Sequence, residues 1–404
     1  MTLPPLVLPV TIVFAGLANL ALVWGLGRAM AAPDYAAFSL WLTAAQFVAV
    51  ASFDWQRIMV IRHLRSPGFP AAAMARSRAG LALALLAAGA VAALLGRSAV
   101  PLALAAYAVA QGFFEIGQAR HRAEARILGF IAQSFARTLA TLAVVGWAWF
   151  WAPGVAAALA AMAAAFALPA LFARPRRHGS TVSEPAAPAI GALSMRQMLR
   201  AGLAMSSTGL LYHGGNAALR AGLLLALPDV SRAAALILTL DLCQRGFLAL
   251  GTAANLVFQQ QAIETVQRGG KGALHGAANL HLLRISALLG PAVALVWVLR
   301  QPLSLLLPAA YRAAFSQNLL LVAGAAALLA LRAFGTDTAA LLAGREAVAL
   351  RGALAAPAVA LASLLPLWAL LPPGQAILWC ALSGGVGGLL ASGLGLRGVI
   401  GMRH

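Results

Sequence analysis

Four arginines lie inside otherwise apolar stretches of this chain, Arg137, Arg220, Arg245 and Arg332, and four acids share such stretches, Asp54, Glu115, Asp241 and Asp337. Arg28 and Arg57 stand nearer the ends of two of them. An ionised group at the centre of a bilayer costs roughly 2.5–3.5 kcal/mol on insertion scales, so each should face a partner or a polar cavity. Spacing supplies some partners. Asp54 and Arg57 are three apart, while Gln133 and Arg137, like Asp241 and Arg245, are four apart, which puts each pair on one helix face. Two chemistries fit. A cationic cavity could receive an anionic headgroup, since a guanidinium stays charged and grips phosphate oxygens in a bidentate fork; Arg28, Arg57, Arg220 and Arg245 are the candidates. Asp241 or Glu115 could instead bind a proton or Na⁺ and harness an ion gradient, with His213, beside Gly214-Gly215-Asn216, lining the cavity. Against both stands a plainer reading: the arginines neutralise carboxylates or snorkel to an interface. Asp241 would then pair with Arg245, and His213 would only bond a neighbouring helix.

Enzyme chemistry finds no footing. The one lysine sits in Gly269-Gly270-Lys271-Gly272, without the spacing or the following Ser/Thr of a phosphate-binding loop, and no HExxH or GxSxG pattern occurs. Cys243 and Cys380 both fall in apolar runs, so neither a disulfide framework nor a metal site is indicated. No catalytic residue, metal or cofactor is expected.

The elements that must position these groups are membrane spans. The chain has 404 residues, 62% hydrophobic and only 10% charged, whereas soluble domains carry about 25% charged residues. A span takes roughly 20 apolar residues, and about twelve such runs can be marked. The first six are 7–28, 36–57, 79–96, 99–119, 127–148 and 152–173; the second six are 202–227, 232–258, 279–299, 314–335, 347–370 and 375–396. The expected organisation is a six-helix bundle over 1–173, a cytoplasmic linker over 174–200 broken by Pro175, Pro185 and Pro188, and a second bundle over 201–404. Met1 to Pro9 lacks the features of a cleaved signal peptide, so the first span is expected to stay.

Basic residues fix the orientation. Of 29 Lys and Arg, 20 fall in alternate short loops, in the linker and at the C-terminus, for example Arg62 and Arg65, Arg120, Arg122 and Arg126, and Arg268 and Lys271. The intervening loops hold only Arg28, Arg97, Arg232, Arg300 and Arg312. Positive charge marks the cytoplasmic side, so both termini are expected in the cytoplasm. The net charge of +19 is then anchorage to anionic lipid rather than a nucleic-acid surface. Heavy Ala and Arg use with a single Lys points to a GC-rich bacterial gene, hence to an inner membrane. Trp147, Trp149 and Trp151 cluster where an outer aromatic belt would lie. Six spans on each side of one cytoplasmic segment suit a parallel repeat, faintly echoed by Pro33-Asp34 and Pro228-Asp229.

Several segments resemble the polysaccharide flippases (Wzx-type transporters) of the multidrug/oligosaccharidyl-lipid/polysaccharide (MOP) exporter superfamily. Gly27-Arg28 through Pro33-Asp34-Tyr35 to Phe38-Ser39-Leu40 is similar to their junction of the first two spans. Leu305 to Pro308, followed by Tyr311-Arg312, resembles their outer loop between the ninth and tenth spans. Asp54-Trp55-Gln56-Arg57 through Arg62 resembles the polar end of their second span, and Ala119 to Arg126 the basic loop after the fourth. Ala36 and the Pro308-Ala309-Ala310 run depart from the glycines usual there. The resemblance implies an all-α, MATE-like fold of two bundles that moves undecaprenyl-diphosphate-linked oligosaccharide from the cytoplasmic to the periplasmic leaflet by alternating access. Such transport serves O-antigen, capsule or exopolysaccharide biosynthesis. It implies that the pyrophosphate meets cavity arginines, carried over to Arg28, Arg57, Arg220 and Arg245, and that partners are the lipid-linked glycan, membrane lipids and a polysaccharide polymerase. The rivals are a cation-coupled multidrug antiporter or a lipid II flippase of the same superfamily, an integral-membrane glycan polymerase or ligase, and a non-transporting scaffold.

Overall fold

The computed structural model describes residues 7–65, 69–172, 195–342 and 346–400. Backbone that lies in hydrocarbon must bond within its own segment, and these apolar runs do so as helices; no strand occurs among the described residues. The first span is α1 (Val7–Ala29). The second joins α2 (Ala32–Ala49), a π-helical turn (Val50–Asp54) and α3 (Trp55–His63). Then come α4 (Ala71–Gly96), α5 (Val100–Ala123), α6 (Ile127–Trp151) and α7 (Val155–Phe172). Beyond the central segment lie α8 (Met195–Ala226), α9 (Val230–Val298), the short α10 (Arg300–Leu305) and α11 (Ala309–Leu331). A second π turn (Arg332–Thr336) leads into α12 (Asp337–Leu342), and α13 (Glu346–Leu370) and α14 (Pro373–Ile400) complete the chain.

Ten helical stretches among the described residues are long and apolar enough to cross a membrane. This is a multi-pass membrane protein. The two other expected spans are also helical: α7 is short, and α8 mixes Arg196, Arg200 and Arg220 into its 32 residues. Most of the expected linker, residues 173–194, lies outside the described residues. The rest of it is corrected, because the chain is already helical at Met195 and Arg196 and Arg200 sit in the first turns of α8. Arg345 and Arg403 also lie outside the described residues.

Two expected spans merge in α9, which is helical over 69 residues. A straight helix of that length would run about 100 Å. Yet Arg284 donates to the Gln261 side-chain oxygen at 2.6 Å and lies 5.6 Å from the Phe258 ring centroid. Residues 23 apart would sit about 35 Å from each other on a straight helix, so α9 doubles back between Thr265 and Ala277 and supplies two antiparallel arms. Asp229 caps its start, accepting from the Ser231 and Arg232 amides.

Grouped by contact, the chain forms two compact units, one of Met1–Leu40, Ala148–Ala152 and Gly214–His404, the other of Trp41–Trp147 and Pro153–His213. Each takes segments from both sides of the central stretch. In the first unit α1 lies against the first arm of α9, closely enough that a Cβ on Gly27 would come within 2.8 Å of Leu238. In the second, Met198 of α8 packs with Trp55, Met59 and Met74. Packing therefore groups the spans otherwise than chain order does. The glycines of α14 allow close approach, as expected: a Cβ on Gly384 would sit 2.7 Å from the Ala356 carbonyl oxygen of α13.

The basic loop after α5 is set by backbone geometry. Arg126 donates to the His121 carbonyl and Ala125 to that of Arg122, the paired bonds of a Schellman turn, with Ala125 left-handed at φ 54°. Glu124 binds Arg120 at 2.6 Å and Arg126 at 3.4 Å. Partial burial pushes its carboxyl up, but these arginines outweigh that and hold it below the usual carboxylate range. Its contribution to stability is present above the ordinary carboxylate pKa and fades as pH falls through the lowered value. A left-handed conformation costs a residue with a Cβ about 1–2 kcal/mol. Ala125→Gly is therefore expected to raise the thermal midpoint of the detergent-solubilised protein by a few degrees; an unchanged or lower midpoint in a melting assay would contradict the turn.

Candidate functional site

The most enclosed polar site belongs to the first unit. Three helices each offer two polar residues one turn apart: Tyr35 and Ser39 from α2, Asn216 and Arg220 from α8, and Asp241 and Gln244 from α9. Arg220 donates from Nη2 to Asp241 and, at 3.1 Å, to Gln244, from Nη1 to the Asn216 carbonyl at 2.9 Å, and from Nε to Ser39 at 3.0 Å. The second carboxylate oxygen of Asp241 accepts from Tyr35 at 2.8 Å and Ser39 at 2.6 Å, and Gln244 donates to Asn216 at 2.6 Å. Side-chain exposures of 5% for Arg220 and 6% for Asp241 leave little room for a ligand. Satisfied in this way, a buried pair specifies how its helices meet.

Arg245 lies one turn beyond Asp241 on α9. It is half-buried, and its charge acts on both Asp241 and Tyr35. The expected pairing of Asp241 with Arg245 is not the one made, because Arg220 occupies the carboxylate. Among the described residues, no hydrogen bond or ion pair engages Arg245. Arg28, at the end of α1, is exposed and stacked: its guanidinium carbon is 5.3 Å from the Trp24 ring centroid and 5.5 Å from that of Trp149.

The second unit holds another charged group, centred on Arg57. Arg57 bonds Asp54 as the three-residue spacing predicts, and its Nε is 3.9 Å from Glu115, which accepts from Gln111 at 2.7 Å. Arg78 reaches Gln56 at 3.3 Å and lies 5.7 Å from the Phe113 ring centroid. The charge of Arg122 couples to both Arg57 and Glu115. The π turn that ends at Asp54 precedes this group directly, and the second π turn begins at Arg332, which is 3.8 Å from Asp337. A π turn inserts an extra residue into a helical turn and is frequent at functional sites.

The remaining candidates are apart from these groups or differently engaged. His213 is half-buried, its ring edge-on to Tyr212 with centroids 4.8 Å apart. Arg137 does not take the expected Gln133 partner: both polar atoms of the Gln133 amide are without hydrogen bonds. Arg137 instead lies over Phe166, 4.4 Å from the ring centroid.

With this geometry in hand, known structures can be compared. An outward-facing multidrug resistance MATE family transporter of the MOP superfamily matches with TM-score 0.61 and 15% identity, over 98% of this chain and 95% of its own. The chain has the MATE fold. A MOP superfamily transporter from Pyrococcus furiosus Vc1, described by the reverse polarity of its binding pocket, matches with TM-score 0.54 and 15% identity over 97% and 93%. The eukaryotic MATE transporter AtDTX14 gives 0.52 and 16% over 95% and 83%. No protein-family model and no curated protein matches the sequence.

Within the MATE fold, sequence reasoning missed Asn216 and Gln244 as ligands of Arg220, and it named Tyr35 and Ser39 only as motif letters. A usable signal was present. Pairs of polar residues three or four apart inside apolar spans, such as Tyr35 and Ser39, mark a helix face with something polar to meet.

Proposed function

We propose that this chain is a flippase of the bacterial inner membrane, both termini cytoplasmic, that moves undecaprenyl-diphosphate-linked oligosaccharide from the cytoplasmic to the periplasmic leaflet by alternating access. The observation that carries the reading is an imbalance of charge inside the spans. Each interior acid faces an arginine: Asp54 and Glu115 face Arg57, Asp241 faces Arg220 and Asp337 faces Arg332. Arg245 remains half-buried and unmatched among the described residues. Unbalanced positive charge in a low-dielectric site attracts an anion strongly, and a diphosphate is the anion a lipid-linked glycan offers. No bond is made or broken, so the protein is not an enzyme and needs no cofactor. A polysaccharide polymerase would take the product.

The multidrug name of one fold neighbour favours a second reading, a cation-coupled drug antiporter. That chemistry needs an acid free to exchange a proton or Na⁺, and the interior acids are instead committed to arginines. Deleting the gene in its host separates the two. Accumulation of lipid-linked glycan in the cytoplasmic leaflet with loss of surface polysaccharide is expected; an intact surface glycan with altered sensitivity to cationic drugs would sink the flippase in favour of the antiporter.

A further inference from the structure

The first unit contains a cavity of about 530 Å³ walled by α1, both arms of α9, α10 and α11, with Leu20, Trp24, Gly246, Leu250, Val296 and Phe315 on its surface. That volume is within the roughly 300–1,000 Å³ of small-molecule sites. Its chemistry is not that of a drug site, which sets a few polar groups among apolar walls to orient the ligand. The Trp24 indole N–H, the one polar side-chain donor among the lining residues, already binds the Leu306 carbonyl at 2.8 Å. Water would find too few partners to settle there. Only hydrocarbon matches such walls, and an occupant with a polar end must place that end outside.

A cation stands at that point. Arg28 lies over the Trp24 ring, one turn further along α1, and the two tryptophans that flank it have centroids 5.7 Å apart. Stacking fixes the plane of the guanidinium and leaves its N–H edge for phosphate oxygens. Among the described residues no carboxylate pairs with Arg28. We propose that the cavity and Arg28 form one site, which holds the isoprenoid chain of a polyprenyl phosphate with the phosphate on Arg28. A single cavity suits a carrier with one chain, whereas a two-chain phospholipid would leave its second chain unplaced. The inference deepens the proposed function, and it rests on that reading for the identity of the lipid.

The test uses the full chain in detergent with a polyprenyl phosphate bearing a diazirine at its chain end. After irradiation, adducts are expected in the peptides that contain Leu242–Leu250 and Phe315–Leu319. A Cβ on Gly246 meets nothing nearer than Leu20 at 3.9 Å, so Gly246→Phe projects into free volume and is expected to abolish those adducts. Leu250→Trp narrows the same space from another position and serves if Gly246→Phe does not purify. Arg28→Gln should weaken probe binding at least about 10-fold, as loss of a charged hydrogen bond implies. Adducts elsewhere, adducts that persist in both cavity-filling variants, or displacement by phosphatidylglycerol as readily as by unlabelled polyprenyl phosphate would each overturn the site. Cross-linking needs no transport, so the two readings fail separately. Cavity adducts with normal surface glycan in the deletion strain would remove the flippase and keep the site, while lost glycan without adducts would do the reverse.

Discussion

Arg220→Ala is expected to destabilise the protein by about 3–5 kcal/mol, the cost of stripping one partner from a buried ion pair. The Asp241 carboxylate would keep its Tyr35 and Ser39 hydroxyls but lose its only opposite charge in contact. Gln244 and Asn216 would lose a shared partner as well. Asp241→Leu should cost a similar amount, because it leaves a guanidinium buried without an anion. The double variant Arg220→Met/Asp241→Leu should recover most of the loss, since matched apolar groups often replace a buried pair at little cost. The coupling, read from heat-induced loss of monodisperse protein in the four members of the cycle, should be large and favourable. If Arg220→Ala melts with the parent protein, the network is not structural and Arg220 returns to the headgroup candidates.

What the sequence disclosed and what it withheld divide along one line: whether the information lies within a single helix. The positions of the spans were readable, because hydrocarbon thickness sets a run length and positive charge marks the loops. Asp54 with Arg57 was readable too, being three apart on one segment. Asp241 with Arg220 was not. Two arginines were available to that carboxylate, one four residues away and one on another helix, and the choice depends on how α8 and α9 are rotated about their axes. That rotation follows from packing, such as the close approach of α1 to α9 at Gly27 and Leu238, which no spacing rule reads. The reversal inside α9 was hidden for a related reason. The stretch around Gly269-Gly270-Lys271-Gly272 reads as a loop, yet its backbone stays helical while the chain turns. The π turns left no sequence signal at all, since an extra residue in a turn is a property of hydrogen bonding rather than of composition.

Arg245→Gln should separate function from stability in the opposite sense to Arg220→Ala. Arg245 has no ion pair among the described residues to lose, and removing a half-buried charge relieves its desolvation. The melting temperature is therefore expected to hold or rise by a few degrees. Transport should fall. A charged hydrogen bond to phosphate contributes about 1.5–3 kcal/mol, or roughly 10–100-fold in apparent affinity for a diphosphate lipid. Arg245→Lys keeps the charge and loses the bidentate fork, so it should fall between the parent and Gln. The measurement is binding of a labelled polyprenyl diphosphate to purified protein, with surface glycan scored in cells that carry each variant. Arg245→Gln with full binding and normal glycan would leave the unmatched charge without a role. Arg245→Gln that melts early would mean the side chain holds the fold, and the headgroup would have to be sought around Arg57. The contrast is informative because the two arginines flank one carboxylate: Arg220 satisfies Asp241 so completely that Arg245, one turn away, is left with its charge unspent.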